Sequence, residues 1–135
     1  MATITQVRDA IAARLQTITS LNVYPTVADS VMVPAAIVGT PATIEYDYTF
    51  RAANLRLTIP VRILAARVQE DFAQDTLDAY ISYSGAASIP AAFATDPMLN
   101  NTASTSRITE ARNYGVYEVD GIPYLGVEFV LEVIT

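Results

Sequence analysis

Nearly all the side chains able to do chemistry in this sequence are carboxylates. Glu45 and Asp47 alternate along one apolar stretch, Glu128 and Glu132 along another, and Asp71, Asp75 and Asp78 recur at helical spacing. A pair of carboxylates facing each other can divide acid and base duties, as in glycoside hydrolysis. Three on one helix face could in principle seat a hard cation. Nothing else is on offer. The sequence has no His, Cys or Lys, so the ordinary general base, the thiolate and the Schiff-base amine are missing. A Ser-His-Asp triad, an HExxH zinc site and a CxxC pair are excluded by composition, and neither a Walker loop nor GxGxxG occurs. The strand carboxylates occupy polar positions of alternating stretches, where such residues are usually solvated. The Asp71, Asp75, Asp78 set lacks the tight loop of a calcium site, and acidic residues early in a helix already suit its dipole. The expectation is a protein with no catalytic residues, no metal and no cofactor.

The elements around these residues follow from periodicity. From Asn54 to Ala65, Leu55, Leu57, Ile59, Val61 and Ile63 alternate with Arg56, Thr58, Pro60, Arg62 and Leu64, which predicts a strand with one buried face. Burying five such aliphatics is worth about 10 kcal/mol gross, before chain entropy is subtracted. Pro60 has no backbone N–H, so the strand should bend or lose its neighbour there, leaving backbone that another chain could pair with. Thr3 and Gln6 form a capping-box pattern ahead of Ile4, Val7, Ile11, Leu15 and Ile18, which predicts a one-sided helix to about Thr19.

Short strands are expected at Val23–Val27 and Ala35–Thr40, with a turn at Asp29-Ser30 between them. From Thr43 to Phe50, Ile44, Tyr46, Tyr48 and Phe50 alternate with Glu45, Asp47 and Thr49, placing three aromatics on one strand face. They either cover the helices from within or meet another subunit, where Tyr and Phe are enriched. A second helix is expected over Gln69–Tyr83, with Phe72, Ala73, Thr76, Leu77, Tyr80 and Ile81 inward and Gly85 as its stop. A short helix over Ser88–Thr95 starts near Pro90, and Asn100–Ser104 reads as a polar loop. Thr105–Arg112 and Val116–Val119 form one strand or two, with a bulge at Asn113-Tyr114-Gly115. Asp120-Gly121 is a hairpin turn, and Tyr124–Ile134 returns with Leu125, Val127, Phe129, Leu131 and Val133 on one face. The pattern defines an α+β fold: a mainly antiparallel twisted sheet with two main helices on one face. Residues 1–135 form one domain, with no repeat or linker.

Composition limits the partners. Hydrophobic residues make up 52% and charged residues 16% of the chain, which implies apolar surface covered by something else. A net charge of −6, with eight Arg spread along the chain, argues against gripping nucleic acid by its phosphates. A passive lining past which nucleic acid slides is compatible with that acidity. No apolar run reaches the length of a membrane span, and the charged N-terminal stretch does not read as a signal peptide, so the expected setting is the cytoplasm of the producing cell.

Particular residues on these elements resemble a known family. Glu45-Tyr46-Asp47 with Phe50 and Arg51, Val61-Arg62-Ile63, Leu77-Asp78, the run from Ser88 through Asp96-Pro97-x-Leu99, and Tyr124-Leu125-Gly126-Val127-Glu128 resemble the tail terminator proteins of long-tailed bacteriophages. These are also called tail completion or head-tail joining proteins, and the likeness is strongest to those of phages with actinobacterial hosts. Members often carry Gly after the Asp-Pro-x-Leu stretch, where this chain has Asn100-Asn101.

The resemblance implies a virion structural protein assembled as a homo-hexameric ring on the head-proximal end of the tail tube. Such a ring stops tube polymerisation, joins the head-closure and other neck proteins, and lets genomic DNA pass through its lumen without specific binding. A cyclic ring needs two different patches per subunit that close on one another. The candidate contact residues are Tyr46, Tyr48, Phe50, Arg51, Arg56 and Arg62. The competing readings are a head-closure or stopper protein of the same neck, or a ligand-binding α+β module with an apolar pocket between helices and sheet.

Overall fold

The fold was determined as a computed structural model, which describes residues 3–18, 21–25, 32–46, 55–68 and 71–135. Nine elements follow in order: α1 (Ile4–Leu15), β1 (Asn22–Tyr24), β2 (Ala35–Val38), β3 (Thr43–Tyr46), β4 (Leu55–Arg67), α2 (Ala73–Ile81), α3 (Ile89–Thr95), β5 (Thr105–Val119) and β6 (Ile122–Ile134). The architecture is α+β. Six strands form one sheet in the order β1-β2-β4-β6-β5, with β3 also paired to β4. Every pairing is antiparallel except β1 with β2.

Local chemistry accounts for the helix ends. Thr3 and Gln6 form the expected capping box, each side chain serving the other's backbone N–H. Ser88 caps α3 by accepting from Ala91 N, and its own hydroxyl donates to the Ser82 carbonyl. The apolar stripe Val7, Ile11, Leu15 and Ile18 is buried as its spacing predicts. It meets Leu57, Ile59, Val61 and Ile63 of β4, Val127, Phe129, Leu131 and Val133 of β6, and Leu77, Ile89 and Phe93 of the other helices. All three helices therefore lie on one face of the sheet. Arg14 Nε donates to the Ala92 carbonyl at 2.7 Å, tying α1 to α3.

Several expectations change. The strand carrying Pro60 is central: β6 lies along one side and β3 then β2 along the other. The neighbour changes identity at Pro60, since β3 pairs with Leu55–Thr58 and β2 with Val61–Leu64, and the chain crosses between them over 39–42. The missing N–H falls at that break, and Gly39 N donates to the Pro60 carbonyl at 2.8 Å, so this backbone is not left for another chain. Gly39 is required there because a Cβ would stand 2.8 Å from that same oxygen.

Phe72 does not point inward; it stands one residue before α2, 58% exposed. The Asn113–Gly115 bulge is present, but Asn113 takes the left-handed conformation (φ 56°), as Asn tolerates. The 96–104 turn carries three successive left-handed residues, Leu99, Asn100 and Asn101, with φ of 50°, 55° and 64°. Asn replaces Gly at two of them, Asp96 accepts from Asn100 N, and the buried Leu99 side chain anchors the turn. The Asp29-Ser30 turn, the far ends of the Val23–Val27 and Thr43–Phe50 stretches and the first residues of Gln69–Tyr83 lie outside the described residues.

Candidate assembly surface: the helix-free face of the sheet

The face of the sheet away from the helices is built from the alternate residues of the same strands. Because Leu57 and Ile59 point into the core, Arg56, Thr58, Pro60 and Arg62 of β4 must point out, and in β6 Glu128, Val130 and Glu132 do the same. Register then brings opposite charges together. Glu45 of β3 is opposite Arg56, and Arg107 of β5 is opposite Glu132. Arg56 sends one nitrogen to Glu132 at 2.7 Å and another to Glu45 at 3.2 Å. The result is a transverse row, Glu45–Arg56–Glu132–Arg107, of alternating sign across four strands.

A second row runs parallel to it, where Arg62, Glu128 and Arg112 occupy matching positions on β4, β6 and β5. Arg112 holds Glu128 at 2.8 Å and approaches Glu110 at 3.8 Å. The Arg62 guanidinium lies 4.8 Å from the centre of the Tyr117 ring, a cation–π distance. Burial, and secondarily the nearby Glu128 charge, push the Tyr117 phenol above its ordinary pKa, while Arg62 and Arg112 oppose the shift. The two β6 carboxylates are not solvated in the way alternation alone implies, whereas Glu45 at the margin is about half exposed, at 49%. The side chains of Glu128 and Glu132 are only 15% and 17% exposed, covered by the arginines that pair with them.

One end of this face is apolar. Leu64, at an outward position of β4, is fully buried with Ala35, Ile37 and Tyr124, beneath Tyr24, Val33, Tyr117, Val119 and Ile122. Gly126 makes the packing possible. A Cβ on it would lie 2.6 Å from the Ile63 carbonyl oxygen, 2.8 Å from Leu64 Cδ2 and 2.9 Å from a Tyr117 ring carbon.

Of the six candidate contact residues, the structure brings Arg56 and Arg62 to this face and separates Tyr46 from them. Tyr46 is opposite Leu55 and follows Ile44, whose partner Leu57 is in the core, so its ring is on the helix side, 75% exposed. It does not cover the helices from within. Tyr48, Phe50 and Arg51 lie outside the described residues. Sequence reasoning missed Arg107, Arg112 and Tyr117 as members of the same surface. Their signal was the β5–β6 hairpin turn at Asp120-Gly121, which fixes the register, but two bulges in β5 hide the face each residue takes.

On the helix side, Asp71, Asp75 and Asp78 are exposed, and Asp78 accepts from the Tyr114 hydroxyl at 3.0 Å. Burial, with the Asp78 hydrogen bond and charge, raises the Tyr114 pKa above the ordinary value. Among the described residues no three carboxylates gather closely enough to hold a metal ion. A groove of about 1020 Å³ runs between α1 and the 96–104 turn, open to solvent and lined by polar groups including Asp9, Arg14, Asp96, Asn100 and Asn101. Among the described residues no helix is long and apolar enough to cross a membrane. No protein-family model matches the chain, and no curated protein matches it in sequence.

Proposed function

We propose that the chain is a virion structural protein of a long-tailed phage: a tail terminator that assembles as a ring on the tail tube and joins it to the neck. The observation that carries this reading is the distribution of uncovered surface. Tyr46, Val68, Phe72, Tyr83, Tyr114 and Val116 are large apolar side chains left exposed around the sheet's margins and the helix side, which is the composition of contact surfaces. The opposite face presents Arg and Glu in near-equal number, too balanced to grip a polyanion. The space between helices and sheet, where a ligand-binding module would have its apolar pocket, is filled by Val7, Ile11, Leu15, Phe93 and their strand partners, and the groove beside α1 is polar and open.

In this role the protein works by geometry, with partners being copies of itself, tube protein on one side and neck proteins on the other, while DNA passes through the lumen. The test is tube-length control. Tube protein polymerised with the purified chain should give shorter tubes with a cap of extra density at one end in negative-stain images. Tubes of unchanged length with bare ends would sink the proposal. Binding to neck proteins with no effect on tube ends would favour the head-closure reading.

A further inference from the structure

We infer that copies of this chain join edge to edge, the β3 edge of one pairing with residues 106–108 of β5 in the next. This rests on the reading that the chain assembles with itself, and it assigns the two patches.

Three observations carry it. Among the described residues no strand lies beyond β3 or beyond β5, so both present unpaired backbone groups at opposite margins of one sheet. The strands alternate in direction from β3 through β4 and β6 to β5, so adding β3 of a similarly oriented copy beside β5 continues the antiparallel order. The transverse charge row begins with Glu45 at one margin and ends with Arg107 at the other. Arg107 is exposed and forms no salt bridge among the described residues. Placing it opposite Glu45 of a second copy extends the alternation acid, base, acid, base without a break.

That register has further consequences. Counting antiparallel from Arg107 opposite Glu45 sets Ile108 opposite Ile44 of the second copy, an apolar pair on the helix side, where Ile44 is exposed and Ile108 half-buried. The same count sets Ser106 opposite Tyr46 and Thr43 opposite Thr109, the residue at the first β5 bulge, so three pairs form before the ladder is interrupted. The joint is heterologous, using two different patches, which is the condition for a closed ring. A two-fold β5–β5 pairing would instead set Arg107 and its neighbours against their own copies across two bulges.

The absence of cysteine makes the test clean. The variant E45C/R107C, oxidised at protein concentrations where the chain assembles, should give a ladder of covalent oligomers beyond the dimer on a non-reducing gel, and neither E45C nor R107C alone should do so. Amide exchange within residues 44–46 and 106–108 in the unmodified protein should slow at least about tenfold on assembly. Dimers from R107C alone would show two-fold pairing and overturn the inference. So would the absence of both ladder and protection when the wild-type chain caps tubes, a result that leaves the proposed function standing. A ladder from a chain that never touches tube ends would support the joint while the terminator reading fails.

Discussion

The two faces of the sheet are closed to different degrees and by different chemistry. On the helix side, Leu57, Ile59, Val61 and Ile63 interlock with Ile11, Leu15, Leu77 and Phe93, and the gain comes from removing apolar area from water. On the other side, Val130 is just 7% exposed, but its cross-strand neighbours are Pro60 and Glu110, and the Thr109 hydroxyl donates to its carbonyl. One face contributes stability and tolerates any well-packed aliphatic set. Away from its apolar corner around Leu64, the other contributes little net energy, because ion pairs with partly exposed arginines gain little over their own desolvation. What it contributes is a fixed pattern of charge. The lesson is that burial alone does not identify a core; the chemistry of the cover does.

That contrast can be broken most strongly from the apolar side. Phe129→Ala should cost about 3–5 kcal/mol in denaturant unfolding, whereas Val130→Ala, its neighbour on the opposite face, should cost about 1 kcal/mol. Equal losses would show that the helix-free face is a second core. Gly126→Val should destabilise by about 1–3 kcal/mol, because its side chain would meet the Ile63 carbonyl and the Leu64 and Tyr117 side chains; an unchanged melting temperature would show that the apolar corner yields.

Smaller effects sharpen the view of the charge rows. In double-mutant cycles, Arg56→Ala should couple to Glu132→Gln by about 1 kcal/mol and to the more exposed Glu45→Gln by about 0.5 kcal/mol or less, with the second term fading in high salt. The smallest effect is alkaline. Tyr117 has a raised pKa when folded, against an ordinary 10.0. The unfolded chain therefore loses that proton first, so this increment of stability is whole below about pH 10 and is lost as pH rises through the folded value. Tyr117→Phe should flatten that decline, as read by unfolding at stepped pH. A Tyr117 that ionises at the ordinary value in ultraviolet titration would refute the shift.

Much of the fold was legible because periodicity and caps are local. The α1 stripe, its Thr3–Gln6 box, the short helix begun near Pro90 and the Asp120-Gly121 turn each follow from neighbours within a few residues, and the structure has all of them, with Ser88 standing just outside α3 as its cap. Pro60 was legible as a disruption, but its consequence was not. Whether a missing N–H marks an edge or a junction between two neighbours depends on β2 and β3, which lie 14 or more residues upstream. Leu64 shows the same limit: its outward position suggested a wetter face, and tertiary cover from Tyr24, Tyr117 and Ile122 overrode it. The candidate contact residues were grouped by sequence proximity, so Tyr46 was joined with Arg56 although a strand's alternation sends them to opposite faces. Arg107 went unnoticed because its importance lies in register with Glu132, and the bulges between Ile108 and Gly115 break simple counting.

Those two bulges also bear on how the protein behaves at high concentration. They divide the 15-residue β5 into short straight pieces, each kinked out of line with the next. Fibrils need a flat run of six or seven residues that can stack on itself without limit. No such run remains along this margin, so a long exposed strand that would otherwise seed aggregation admits only brief, finite contacts, and the chain stays free to choose its neighbours.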